Sequence, residues 1–164
     1  MDTLKRLINL LREELKHYGE MLARLDHQQD LVIHRASEDL LASVSSVQAQ
    51  AAAIQQARAL REQAQLELAD ELGSPEPTFS NVIPRLPADY QPLVSALVDE
   101  NNELLIRVQQ RARQNHLLLT RSVESMQRLI NTLLPAPPTV VYNGGGHRSA
   151  PALPSRAALL EVVG

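Results

Sequence analysis

Cysteine is absent from this chain of 164 residues, and aromatic residues make up only 2% of it. The absence of cysteine excludes disulfides, cysteine-based zinc sites and thiolate catalysis. The apolar fraction of 44% consists almost wholly of leucine, alanine, valine and isoleucine, a composition that suits helices packed on helices. The formal charge is −3 and the basic residues are dispersed. We therefore expect no nucleic-acid partner, because nucleic-acid binding needs clustered lysine and arginine.

Long apolar runs are also missing. The longest run near the N-terminus, residues 7–11, is interrupted by Asn9 and followed by three charged residues, so it is too short and too polar for a signal peptide. No stretch approaches the ~20 apolar residues that a membrane-spanning helix needs. The sequence therefore predicts a cytoplasmic protein without membrane insertion.

Proline and glycine are confined to a few regions. All ten prolines lie at or after position 75, and Gly19 is the only glycine before Gly73. Because proline ends helices and glycine weakens them, long helices are permitted only before residue 73 and between the prolines at 92 and 135. Residues 73–88 hold four prolines and no periodicity, so we predict a linker. Residues 135–164 hold five prolines and four glycines, which predicts a flexible tail.

Apolar periodicity predicts the first helix. Apolar residues recur there at alternating spacings of four and three, the repeat of a helix packed lengthwise on others: Leu4, Ile8, Leu11, Leu15, Tyr18, Leu22 and Leu25. Ser37, followed by two carboxylates, is expected to cap the next helix. Gly73 is expected to end that helix in a left-handed conformation.

A third helix is predicted to begin at Asp89, with Pro92 in its first turn, and to end before Pro135. We therefore expect an all-α fold with helices near 3–35, 37–72 and 89–134. Short connections favour antiparallel neighbours, so the predicted architecture is an elongated, coiled-coil-like antiparallel three-helix bundle over residues 1–134. At ~1.5 Å per residue the third helix is the longest and should extend past the others.

Catalytic motifs are nearly absent. A di-metal helical enzyme needs paired Glu-x-x-His motifs, and only Glu14-x-x-His17 has that spacing. The glycine run at 144–146 lacks the following Lys-Ser/Thr of a phosphate-binding loop. We therefore predict no enzymatic activity, no cofactor and no metal site. The alternative is a helical metalloenzyme, which elemental analysis of the purified protein tests.

The third helix offers the candidate binding residues. Asn115 and Ser122 share a face with its leucines, and such polar groups either fix the register of the bundle or contact a partner. The apolar sector of this helix is wider than two neighbouring helices can cover, while two further aliphatic residues lie on the opposite, polar face. The predicted partner-binding residues of the helix are Leu105, Ile106, Asn115, Leu117, Leu118, Leu119, Ser122 and Val123.

These features together resemble a known family. The pattern Asn115-x-x-Leu118-Leu119-x-x-Ser122, followed after a proline-rich break by Tyr142-Asn143-x-Gly145, is similar to the FlgN type of flagellar export chaperone. The first 73 residues, with a leucine-heptad helix and a second helix ending in Leu-Gly, are similar to the N-terminal half of that family.

The resemblance implies a cytoplasmic chaperone without enzymatic activity. It implies that hook-associated (hook-filament junction) proteins are bound before type III export and held unpolymerised. It also implies that Tyr142 contacts the cytoplasmic domain of the export gate. We expect a monomer or weak homodimer. The alternative is a coiled-coil scaffold or adaptor, which would form a concentration-dependent parallel oligomer.

Overall fold

The computed structural model describes residues 1–133, and that part of the chain contains no strand. The predicted all-α class is confirmed. In chain order the helices are α1 (Asp2–Ile33), α2 (Ser37–Glu71), α3 (Phe79–Val82), a 3-10 turn (Ile83–Arg85) and α4 (Gln91–Leu133). The predicted tail, residues 135–164, lies outside the described residues.

The central element is α1, and both other long helices pack along it. Its apolar repeat supplies much of the core, with Leu4, Leu7, Leu11, Tyr18 and Leu25 all buried. Side-chain hydrogen bonds fix the helix directions. Thr3 pairs with Glu71 and Gln28 with Ser43, so α2 runs antiparallel to α1. Asn101 pairs with Leu11 and Asn115 with Leu25, so α4 runs parallel to α1.

The turn between α1 and α2 differs from the expectation at Ser37. The N-cap residue is Ala36, and no side chain caps the helix. Arg35 stands in the left-handed region with φ of 56°, and the amide of Ala36 donates to the carbonyl of Leu31. This is the Schellman arrangement. Backbone hydrogen bonds therefore terminate α1, and the side-chain cap that was predicted for the start of α2 is not formed.

The end of α2 agrees with the prediction for Gly73. Its φ is +59°, a value that glycine adopts without steric cost. The amide of Gly73 donates to the carbonyl of Asp70, and the amide of Ser74 donates to the carbonyl of Ala69. These two bonds satisfy the last carbonyls of the helix.

The segment predicted as a linker, residues 73–88, contains regular structure. Val82 in α3 and Leu86 after the 3-10 turn are both buried against the end of the bundle where α1 begins. They lie four residues apart, so one turn of helix brings both side chains to the same side. Pro77 precedes α3 and Pro87 follows the 3-10 turn, while Pro84 stands in the first turn of that 3-10 helix, where its missing N–H costs no helical hydrogen bond.

Candidate functional site

The end of α4 projects beyond the other helices. Asn101 donates from Nδ2 to the carbonyl of Leu11 at 3.0 Å, and Asn115 donates in the same way to the carbonyl of Leu25 at 2.7 Å. Both bonds join residues 90 apart, so the end of α1 at Ile33 lies level with residue 123 of α4. The remaining ten residues of α4 extend about 15 Å farther, and every residue of 120–133 is exposed.

One side of α4 is apolar from Leu119 to the end of the helix, in the last turn beside α1 and in the projecting part. We call it the tip stripe, and its members recur at spacings of three and four: Leu119, Ser122, Val123, Met126, Leu129, Ile130 and Leu133. From Val123 onward its apolar side chains are at least half exposed. The stripe continues the face that packs on α1, because Ser122 and Leu129 follow Asn115 at seven-residue intervals.

The surroundings of the tip stripe are uncharged. At 100° per residue, the positions beside it are Thr120, Ser125, Gln127 and Thr132. The charged residues of this end, Arg121, Glu124 and Arg128, lie on the other side of the helix, where Glu124 and Arg128 approach each other at 3.8 Å. The stripe is therefore suited to contact with an apolar surface, and its one hydroxyl, that of Ser122, donates to the carbonyl of Leu118 at 3.0 Å.

The predicted partner-binding residues fall into separate places. Ser122 and Val123 are exposed in the tip stripe, and Leu118 and Leu119 are half-buried where it begins. Leu105 is half-buried against the core around Tyr18, 14 residues before the stripe. The two aliphatic residues of the opposite side are exposed and do not join the stripe: Ile106 and Leu117. Tyr142 lies outside the described residues.

Asn115, which the sequence predicts as a partner-binding residue, lies inside the bundle. Its side chain is only 1% exposed and donates to the carbonyl of Leu25 and, at 3.1 Å, to Oε1 of Gln28. A partner cannot reach it in this arrangement. The alternative in which Asn115 belongs to a polar layer of the bundle fits these contacts.

Sequence reasoning missed the other members of that layer. Gln28 and Ser43 are buried, and Gln28 donates from Nε2 to Oγ of Ser43 at 3.5 Å. A signal for Gln28 existed, because it continues the seven-residue series of Leu7, Glu14 and Met21 on α1. Ser43 gave no signal, since the buried side of α2 consists largely of alanine, glutamine and serine.

A second buried polar cluster surrounds Glu14, which is 3% exposed. Its two carboxylate oxygens accept hydrogen bonds at 2.9 Å from the Tyr18 hydroxyl and from Nε of Arg61, and Arg58 lies 4.0 Å away. Burial, followed by the hydrogen bond and the charge of Glu14, raises the pKa of Tyr18 well above its usual value. The cluster borders a cleft of about 180 Å³ between α2 and α4.

The chemistry of the Glu14 cluster is that of a structural ion pair. Each oxygen of Glu14 accepts a hydrogen bond from a side chain of the bundle, one from Tyr18 on the same helix and one from Arg61 on α2. Within residues 1–133, no three side chains of histidine, cysteine, aspartate or glutamate gather as a metal site would need. None of the helices in the same range has the length and apolar character to cross a membrane.

Comparison with known proteins identifies a family. A family model described as "FlgN protein" matches residues 1–150. This range includes all of the described helices and extends past Tyr142. No curated protein and no solved structure matches the chain.

Proposed function

The chain belongs to the FlgN family of flagellar export chaperones, and from that premise we propose that it binds hook-associated proteins in the cytoplasm and delivers them to the export gate. The tip stripe is the observation that supports this choice of client-binding surface. It is the one long apolar face among the described residues that continues a core face without a neighbouring helix on it.

The physical argument concerns what such a client needs. A segment that would assemble as an amphipathic helix must have its apolar side covered before export, and a groove or stripe on a long helix provides that cover. The stripe spans 15 residues, or about 21 Å, which is the length of a four-turn client helix. Each of its half-exposed aliphatic side chains gains about 1 kcal/mol on burial. The association has costs of its own, so reversible binding is expected.

The scaffold alternative requires a free heptad face for oligomerisation. The heptad face of α1 is already covered within the same chain, because Leu4, Leu11 and Leu25 are buried. The free heptad face that remains among the described residues is the tip stripe, whose 15 residues make about two heptads, fewer than the three to four that indicate a coiled coil. This favours a chaperone that is a monomer or weak homodimer. Light scattering over a dilution series distinguishes the two. A constant mass near 18.2 kDa, or a dimer that dissociates readily, agrees with the chaperone, and a stable parallel oligomer agrees with the scaffold.

The test of the tip stripe uses charged substitutions. Val123→Asp combined with Ile130→Asp places two carboxylates in the proposed contact, and we expect at least a tenfold loss of affinity for a purified hook-associated protein in titration calorimetry. The matched control is Leu66→Asp, because Leu66 on α2 is 52% exposed and Val123 is 53% exposed. The control should bind like the unmodified chain.

Equal binding by the stripe variant and the control, with unchanged helix content by circular dichroism, would refute the assignment. Ile106→Asp and Leu117→Asp in the same assay test the predicted contact role of the opposite side. A loss of affinity there would extend the client surface around α4.

Delivery to the export gate is the second part of the proposal. It rests on the tyrosine motif at Tyr142 and on the family match, which extends to residue 150. A tyrosine ring can anchor a short segment in an apolar pocket while its hydroxyl stays hydrated. The partner proposed for it is the cytoplasmic domain of the export gate.

A further inference from the structure

One polar layer joins all three long helices just before α4 begins to project. We call Gln28, Ser43 and Asn115 the amide layer; their exposures are 5%, 7% and 1%. Asn115 donates to Gln28, Gln28 donates to Ser43, and the Ser43 hydroxyl donates to the carbonyl of Leu40 at 2.7 Å. Each helix therefore contributes one polar side chain to a continuous chain of hydrogen bonds.

Asn101 provides an internal comparison. Like Asn115 it is buried, donates to a carbonyl of α1 and leaves its own Oδ1 without a partner among the described residues. Its other acceptor is the carbonyl of Leu97 on its own helix. Backbone carbonyls recur along every turn of α1, so the bonds of Asn101 do not distinguish one register from another. The hydrogen bond from Asn115 to the Gln28 side chain does distinguish the registers, because it needs a particular side chain on α1.

The heptad pattern of α4 makes this distinction necessary. Positions 94, 101, 108 and 115 fall at the same place in successive heptads and read Val, Asn, Val, Asn. A slip of α4 by seven residues would bring Val108 or Ser122 opposite Gln28 and would leave its buried amide without the Asn115 donor. Leucines elsewhere on α4 are compatible with several registers.

We infer that the amide layer is a positioning element that fixes the register of α4 on the α1–α2 hairpin and thereby sets how much of the tip stripe projects. Its polar groups stabilise the bundle less than apolar side chains would, because Oδ1 of Asn115 is buried and has no donor within residues 1–133. Such layers specify one alignment over others in helical bundles. A slip of seven residues moves the projecting end by about 10 Å. The consequence for client binding rests on the proposed function.

The register can be measured without any client. Because the chain has no cysteine, Lys5→Cys with Arg113→Cys places spin labels on exposed positions of α1 and α4 in the full chain. Lys5 is level with residue 95 of α4, so the axial separation is about 27 Å, and a one-heptad slip changes it by about 10 Å. Pulsed electron paramagnetic resonance resolves such a difference.

Two variants are compared in this background. The layer variant combines Gln28→Leu, Ser43→Ala and Asn115→Leu, which removes all three polar groups together and leaves none unpaired. The control is Asn101→Leu, which removes an amide that is also buried but has only backbone acceptors. We expect one distance for the unmodified chain and for the control. For the layer variant we expect a second population displaced by about 10 Å.

A single unchanged distance in the layer variant would overturn the inference, and so would a displaced population in the control. Asn115→Leu alone is the second variant if the triple substitution lowers helix content, and the same two outcomes apply to it. In client titrations the layer variant should lose affinity severalfold while Asn101→Leu does not. The distance measurement involves no client, so its failure would leave the assignment of the tip stripe untouched.

Discussion

Removal of the Glu14 carboxylate tests whether the buried ion pair holds α2 against α1. Glu14 on α1 accepts hydrogen bonds from Tyr18 on its own helix and from Arg61 on α2, both at 2.9 Å. Glu14→Ala would leave the Tyr18 hydroxyl and the Arg61 guanidinium without this acceptor. Because both groups are largely enclosed, water replaces the carboxylate incompletely.

The expected loss follows from the burial of each partner. Breaking a buried pair by removing one partner costs 3–5 kcal/mol in general. The side chain of Arg61 keeps 14% exposure and that of Arg58 keeps 40%, so part of the freed charge can be hydrated. We therefore expect the free energy of unfolding to fall by about 3 kcal/mol. For a domain of this size that lowers the melting temperature by roughly 10 °C.

The assay is thermal and urea unfolding followed by circular dichroism at 222 nm. Glu13→Ala is the matched control, because Glu13 is the exposed neighbour on the same helix and its loss should change stability by less than about 0.5 kcal/mol. Glu14→Leu with Arg61→Leu should recover only part of the loss, since two apolar side chains can replace a buried ion pair but the Tyr18 hydroxyl still lacks its acceptor. Equal melting temperatures for the Glu14→Ala and Glu13→Ala variants would refute the reasoning.

Two further predictions concern Tyr18 and the tail. Burial and Glu14 raise the pKa of Tyr18 above its usual value of about 10, so its contribution to stability is fully present below pH 10 and is lost as the pH rises above it. Between pH 9 and pH 11, the Tyr18→Phe variant should therefore lose less stability than the unmodified chain in urea titrations. At lower pH the variant should be less stable by about 1 kcal/mol, because it lacks the hydrogen bond to Glu14. The same pH dependence in both proteins would contradict this. Deletion of residues 137–164 should leave client affinity and melting temperature nearly unchanged but impair binding to the export-gate domain, and Tyr142→Ala should reproduce much of that defect. Abolished client binding, or normal export with both changes, would count against the proposed role of the tail.

The parts of the fold that the sequence predicted are those with a strong local signal. The apolar repeat of α1 gave its buried face, because leucines at spacings of three and four can be enclosed together only on one side of a helix. Gly73 was predicted as the left-handed residue after α2, and its φ of +59° agrees. Both features depend on a few neighbouring residues, which is why sequence alone suffices for them.

The parts that were missed depend on tertiary contacts. The short helix with Val82 lies among prolines that indicate a linker, and its burial becomes visible only when the ends of α1, α2 and α4 are in place. The packed side of α2 is rich in alanine and polar residues, so no apolar stripe marks it. Ser43 and Gln50 are buried because α1 presents hydrogen-bond partners opposite them, including Gln28 and the carbonyl of His17.

The boundary of the candidate site is a matter of helix length. One face of α4 carries Asn101, Val108 and Asn115 and then, at the same interval, Ser122 and Leu129. The first three residues are buried by α1 and the last two are exposed because α1 ends at Ile33. Nothing in the composition of the face changes at that point, so the sequence could not separate Leu105 near the core from Val123 in the open stripe. A client helix on the tip stripe would occupy the place that α1 would take if it continued. We therefore expect client binding to lengthen the bundle rather than rearrange it.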